Sequence, residues 1–184
     1  MNFGLLSRRY ARALLSYATS LGQADELYPL MKEFAHSVMA TPELREAIGS
    51  PVVGREAKRQ LIVEAFGGDN VLSLNRFVDI VLENGRADWL PEMAIGYVTL
   101  YRASRGIKVV RLTSATPLPP DRVERIRDDV AARGHCRVEI SALTDPSLGG
   151  GFVFQVDDLR LDASLKTQIE RIRRGFESFD KSTV

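Results

Sequence analysis

The sequence predicts a mainly α protein: an N-terminal six-helix bundle followed by a small C-terminal α+β unit, βαββα, with a mixed sheet. Three observations predict it. Up to about residue 105, apolar residues recur at helical spacing and β-branched alternation is nearly absent. At Gly106 the pattern changes, because "IKVVRLTSA" is a β-branched run bounded by that glycine and by the Pro117–Pro120 cluster. The breaks between segments fall at residues that start or stop helices for local reasons.

Six helical segments are expected, at about 4–21, 23–40, 42–48, 54–66, 70–83 and 87–105. Gly22 ends the first. Thr41-Pro42 opens the third, Thr as a cap and Pro in the first turn. Ser50-Pro51, Gly67-Gly68 and Asn84-Gly85 supply the remaining breaks, Gly85 serving as a C-cap. Two domains follow, residues 1–105 and 106–184. In the second, a strand over "IKVVRLTSA" leads to a helix over about 119–133 ending at Gly134. Strands in "CRVEISAL" and "GFVFQV", a short one in "LRLD" and a terminal helix from Ala163 complete it.

The chain has 184 residues, 45% apolar and 27% charged, enough for one large or two small globular domains. Its 25 basic and 24 acidic side chains leave a net charge of +1, and the two halves are each nearly balanced. No strong field recruits nucleic acid or an anionic membrane. A single cysteine, Cys136, excludes an internal disulfide framework and fits a reducing compartment. With only His36 and His135 beside it, a Cys/His zinc cluster cannot form. The start, "MNFGLLSRRYARALLSYA", is amphipathic, Arg-bearing and acid-poor like a mitochondrial presequence. Its apolar pattern is that of a core-facing helix, and it is expected to belong to the mature protein.

"DPSLGGGFVFQV" invites a phosphate-loop reading. A phosphate loop needs a helix N-terminus after its glycines, and a Walker loop also needs a Lys. Here strand formers follow Gly151, so the glycines are expected to make a turn or bulge. Asp157, Asp158 and Asp162 crowd one hairpin without the ligand spacing of a calcium loop. No catalytic, metal or cofactor residue is assigned.

The apolar surface of two helices exceeds what one packing contact uses. In the first, Leu6, Tyr10, Ala13, Leu14, Tyr17, Ala18 and Leu21 share a face, and Ala11 and Leu15 widen it to roughly 200°. In the fifth, Val71, Leu74, Phe77, Val78, Val81 and Leu82 form a stripe, with Leu72 and Ile80 off it. Either both helices are central in the bundle, or they frame a groove for a partner's amphipathic helix. Tyr10 and Tyr17, large, stiff and amphipathic, suit the second reading. In the last helix, Leu165, Ile169 and Ile172 are expected to pack on the sheet, while Phe176 and Phe179 are left open. Lys166, Arg171, Arg173 and Arg174 make that helix locally basic, so RNA binding is the alternative function.

"RRYARALLSYA", "SPVVGREAKRQLI", "LENGRADWLPEMAIGYVTLYRASRGIKVVRLTSATPL" and "DPSLGGGFVFQVDDLRLDASLKTQIERIRRGF" occur in that order across nearly the whole chain. Together they resemble the delta subunit family of F-type ATP synthases, whose mitochondrial counterpart is the oligomycin-sensitivity-conferring protein. The resemblance implies a non-catalytic peripheral-stalk protein that supports proton-driven ATP synthesis. Its N-terminal domain would bind the N-terminal helices of alpha subunits in a groove between its first and fifth helices. Its C-terminal domain would hold the C-terminal ends of the stalk b subunits. It implies no cofactor, no nucleic acid, no small-molecule substrate and no insertion into the membrane. The expected place is the cytoplasmic face of a bacterial plasma membrane.

Matched to the family's Tyr-Ala-x-Ala-Leu pattern, Tyr10, Ala13 and Leu14, with Tyr17, are assigned to the alpha-binding groove. Val71, Leu74 and Val78 are assigned to its fifth-helix wall on periodicity. Binding there is expected to depend weakly on salt, being apolar. Asn84-Gly85-Arg86 matches the family's turn into the sixth helix and is read as structural. The chain departs from the family at Gly149, where an apolar residue is usual, and at Asp162-Ala163-Ser164, where Asp-Gly-Ser is common. At the latter the last helix is expected to begin directly, capped by Asp162 or Ser164.

Overall fold

The computed structural model describes residues 3–67, 71–156 and 159–171. The chain divides into two units, Met1–Ser104 and Arg105–Val184.

The first unit is helical: α1 (Phe3–Ser20), α2 (Ala24–Ala40), α3 (Pro42–Gly49), α4 (Arg55–Ala65), α5 (Leu72–Glu83) and α6 (Leu90–Arg105), the last entered through a 3-10 turn at Ala87–Trp89. Its core holds Leu27, Met31, Phe34, Ile48, Ile62, Leu74, Leu90, Met93 and Tyr97, all fully buried. Each such large side chain contributes about 1.5–3 kcal/mol over leaving it exposed. Phe34 stacks on Phe66 at 4.0 Å, and the Tyr97 hydroxyl donates to the Ala24 carbonyl at 3.1 Å. Thr41 stands before α3 as expected, but its side chain makes no capping bond, and Pro42 alone fits the first turn. At the start of α5 the Ser73 N–H donates to the Gln23 side-chain carbonyl at 3.0 Å. That bond satisfies one orphan donor and ties α5 to the turn that ends α1.

The second unit is a four-stranded sheet in the order β2-β1-β3-β4. β1 (Ile107–Ser114) runs parallel to β2 (Arg137–Thr144), and α7 (Pro120–Gly134) makes the crossover that parallel strands require. β3 (Phe152–Val156) is antiparallel to β1, and β4 (Leu159–Asp162) is antiparallel to β3. "LRLD" is therefore a paired edge strand, and the order is βαβββ before the last helix rather than βαββα. A helix follows at residues 165–171.

α7 ends at Gly134 as expected, and His135 after it takes a left-handed φ of +46°. One expectation fails here. Ile169 is 63% exposed and Leu165 47%, so this part of the last helix is not laid on the sheet. Ile172, Phe176 and Phe179 lie outside the described residues, as do Asp157 and Asp158.

The three glycines make a bend that a residue with a Cβ would enter only with strain. Asp145 accepts from the Ser147 N–H at 2.9 Å and opens a 3-10 turn at Pro146–Leu148. Gly149, Gly150 and Gly151 then take φ of +69°, +152° and +74°. A Cβ on Gly149 would meet open space, one on Gly150 would lie 2.5 Å from Leu165 Cδ1, and one on Gly151 would lie 2.2 Å from the Ala163 carbonyl oxygen. The bend lets the chain pass against the start of the last helix. That helix begins directly, as expected: Asp162 accepts from the Ser164 hydroxyl at 2.7 Å and N–H at 3.1 Å, and Ser164 Oγ accepts from the Thr167 N–H at 3.2 Å.

Candidate functional site

The wide apolar face of α1 resolves into two stripes. Ser7, Ala11, Leu14 and Ala18 are buried, at spacings of four, three and four. The small Ser7 and Ala11 let α1 come close to α6, where a Cβ on Gly96 would lie 3.0 Å from Ala11 Cβ and 3.8 Å from the Ser7 carbonyl oxygen. Tyr10, Ala13 and Tyr17 lie beside this seam; Tyr10 is half-buried and the other two are exposed. On α5, Ser73, Leu74, Phe77, Val78 and Val81 turn inward, while Ile80 is 43% exposed.

Between the two helices lies a groove of about 670 Å³. Tyr10, Ala13, Leu14 and Tyr17 line it from α1, and Phe77 and Ile80 from α5, with Arg9 and Arg76 beside them. Tyr10 is fixed from two sides. Its ring meets Phe77 edge-on, with centroids 6.4 Å apart and planes at 67°. The Arg86 guanidinium sits 5.3 Å from the ring centroid and donates to the Tyr10 hydroxyl. Each ring contact is worth about 0.5–1.5 kcal/mol. Arg86 reaches this place through the turn that ends α5. Gly85, at φ +61°, donates to the Leu82 carbonyl at 3.1 Å, and Arg86 N–H to Val81 at 2.9 Å. The groove therefore has a prepositioned aromatic wall, an apolar floor and no catalytic constellation assigned to it.

The family model described as ATP synthase delta (OSCP) subunit matches residues 6–176. The chain belongs to that family. It is 42% identical to ATP synthase subunit delta of Phocaeicola vulgatus, over 100% of both chains. To ATP synthase subunit delta of Bacteroides thetaiotaomicron it is 38% identical, over 96% of each. Its fold is similar to a chain in the cryo-EM structure of the Toxoplasma gondii mitochondrial ATP synthase hexamer, with a TM-score of 0.66, 21% identity and coverage of 93% and 97%. As a delta subunit it is a peripheral-stalk component of an F-type ATP synthase, a membrane-associated complex. No helix among its described residues is long and apolar enough to cross a membrane.

The delta subunit's groove is lined by Tyr10, Ala13, Leu14 and Tyr17, with Leu14, 3% exposed, forming the floor. The α5 residues that periodicity singled out are not among those lining it. Val71, Leu74 and Val78 are 1%, 0% and 0% exposed and belong to the core. The strongest apolar period of a helix marks the face its own bundle consumes, so the groove takes the neighbouring residues Arg76, Phe77 and Ile80. Arg86, read as part of a structural turn, is the residue that orients Tyr10. Its only sequence signal was its place beside Gly85, because Tyr10 lies 76 positions away. In the basic stretch of the last helix, Lys166 and Arg171 are exposed, and Arg173 and Arg174 lie outside the described residues.

Proposed function

We propose that this delta subunit is a non-catalytic adaptor between catalytic head and stalk. The α1/α5 groove receives the N-terminal helix of an alpha subunit, and the second unit holds the C-terminal ends of the b subunits. The observation that carries the reading is the prepositioned apolar groove, whose opening is what an amphipathic helix fills in the helix-in-groove mode. For the second unit, support comes from the register: Phe152, Leu159 and Leu161 share a sheet face with Val110 and Leu112 and are 42%, 79% and 59% exposed. Apolar surface of that kind marks an interaction face. The bacterial relatives support a place on the cytoplasmic face of a bacterial plasma membrane.

The test is calorimetric titration of the cognate alpha subunit's N-terminal peptide into the full chain. Saturable heat is expected, and Ala13→Asp or Tyr10→Asp should weaken binding by about thirtyfold or more, the scale of losing a central hot spot. Absence of heat, and of competition in a displacement assay, contradicts the reading.

A further inference from the structure

We infer that the α1/α5 groove is built for an amphipathic helix whose apolar stripe carries carboxylates on both flanks. This rests on the alpha-docking reading and names the chemistry of the occupant. Arg9 lines the groove from α1 and Arg76 from α5, so a cation stands on each wall beside the apolar floor. Along the outer side of α1, Arg8, Arg9 and Arg12 line a second trough of about 330 Å³ that shares Arg9 and Ala13 with the groove. No Asp or Glu occurs anywhere in α1.

The carboxylates of α5 are withdrawn from this side. Asp79 is held by Arg59 at 2.8 Å and Glu83 by Arg55 at 3.0 Å, both arginines belonging to α4. Arg86 is committed to Tyr10. Arg8, Arg9, Arg12 and Arg76 have no ion pair among the described residues. Residues 1–105 contain 12 basic and 12 acidic side chains, so the excess at the groove is a matter of arrangement, not composition. A helix presenting carboxylates on both sides of its stripe finds a cation on each wall, and one presenting lysines is repelled by both. Binding then depends on salt, contrary to the weak dependence expected from apolar burial alone.

The experiment titrates the cognate alpha subunit's N-terminal peptide into the full chain, wild type and Arg9→Gln/Arg76→Gln, at about 0.05 M and about 0.5 M NaCl. Exposed pairs of this kind each change affinity by about threefold. The wild type should weaken by about tenfold between the two salt concentrations, and the double variant should bind about tenfold more weakly at low salt with little further salt response. Circular dichroism confirms that the exposed substitutions leave the fold intact, and Arg133→Gln, in the other unit, serves as a matched charge control. A double variant that binds as tightly as wild type at low salt overturns the inference while leaving the docking reading standing. A wild type that does not bind the peptide overturns both.

Discussion

Replacing Gly149, Gly150 and Gly151 one at a time with Ala adds the same methyl group at three adjacent positions, and the structure expects three different costs. At Gly149 the penalty is the positive φ alone, about 1–2 kcal/mol, less about 0.4–1 kcal/mol from the stiffer unfolded chain. At Gly150 the methyl also meets Leu165 Cδ1 at 2.5 Å. Leu165 is 47% exposed and can swing aside, so about 1–3 kcal/mol is expected from the backbone conformation. At Gly151 the obstacle is the Ala163 carbonyl oxygen at 2.2 Å. Ala163 N–H is bonded to Phe152 at 2.9 Å and Leu165 N–H to Gly150 at 3.0 Å, so relief requires parting both. Two lost hydrogen bonds at about 0.5–1.5 kcal/mol each, added to the φ penalty, bring the total to about 2–5 kcal/mol. Native-state hydrogen exchange of β1 amides reads this directly, because β1 is bonded on both sides, to β2 and β3, and opens with its unit. Protection should fall by less than about tenfold for Gly149→Ala and by roughly thirtyfold to several thousandfold for Gly151→Ala. Equal losses at all three positions would refute the steric account of the bend.

Gly96→Leu should destabilise the first unit by about 2 kcal/mol, because the new side chain overpacks the seam where Ala11 leaves only 3.0 Å to a Cβ. The lone tryptophan, Trp89, lies in that unit and reports its urea midpoint by fluorescence. In the second unit, the Ser164 hydroxyl and N–H hold the Asp162 carboxyl below its ordinary value of 3.8. The Ser147 hydroxyl and N–H do the same to Asp145. Both groups are depressed in the folded state, so their stabilisation is present above the ordinary carboxylate range and is lost as pH falls through the folded values. Asp162→Asn should therefore flatten the acid-side loss of β1 amide protection relative to wild type, and an unchanged pH profile would contradict the cap.

The helices of the first unit were legible because their periods are long and their breaks sit at Gly and Pro. The groove was half legible. On α1 the wide apolar arc showed surplus surface but did not divide it, and Tyr10, Ala13 and Tyr17 were singled out by the family resemblance. On α5 the dominant stripe, Val71, Leu74 and Val78, is the core itself, and the residue that opens to the groove, Ile80, stands among polar neighbours. Arg86 was hidden because its role depends on a partner distant in sequence. In the second unit, "LRLD" was legible as a short strand from its alternation, and pairing along β3 supplies its hydrogen bonds. His135 was missed because Gly134, beside it, carries the expected turn chemistry, whereas left-handed histidine is uncommon.

The central claim, that the α1/α5 groove is the docking site of the alpha subunit's N-terminal helix, is tested most directly by mapping amide chemical shifts of the full chain as that peptide is added. The account expects perturbations concentrated at Arg9, Tyr10, Ala13 and Tyr17 on α1 and at Arg76, Phe77 and Ile80 on α5, with the β1 to β4 amides unmoved. Perturbations centred on the sheet, with the α1 and α5 amides unchanged at saturation, would contradict it.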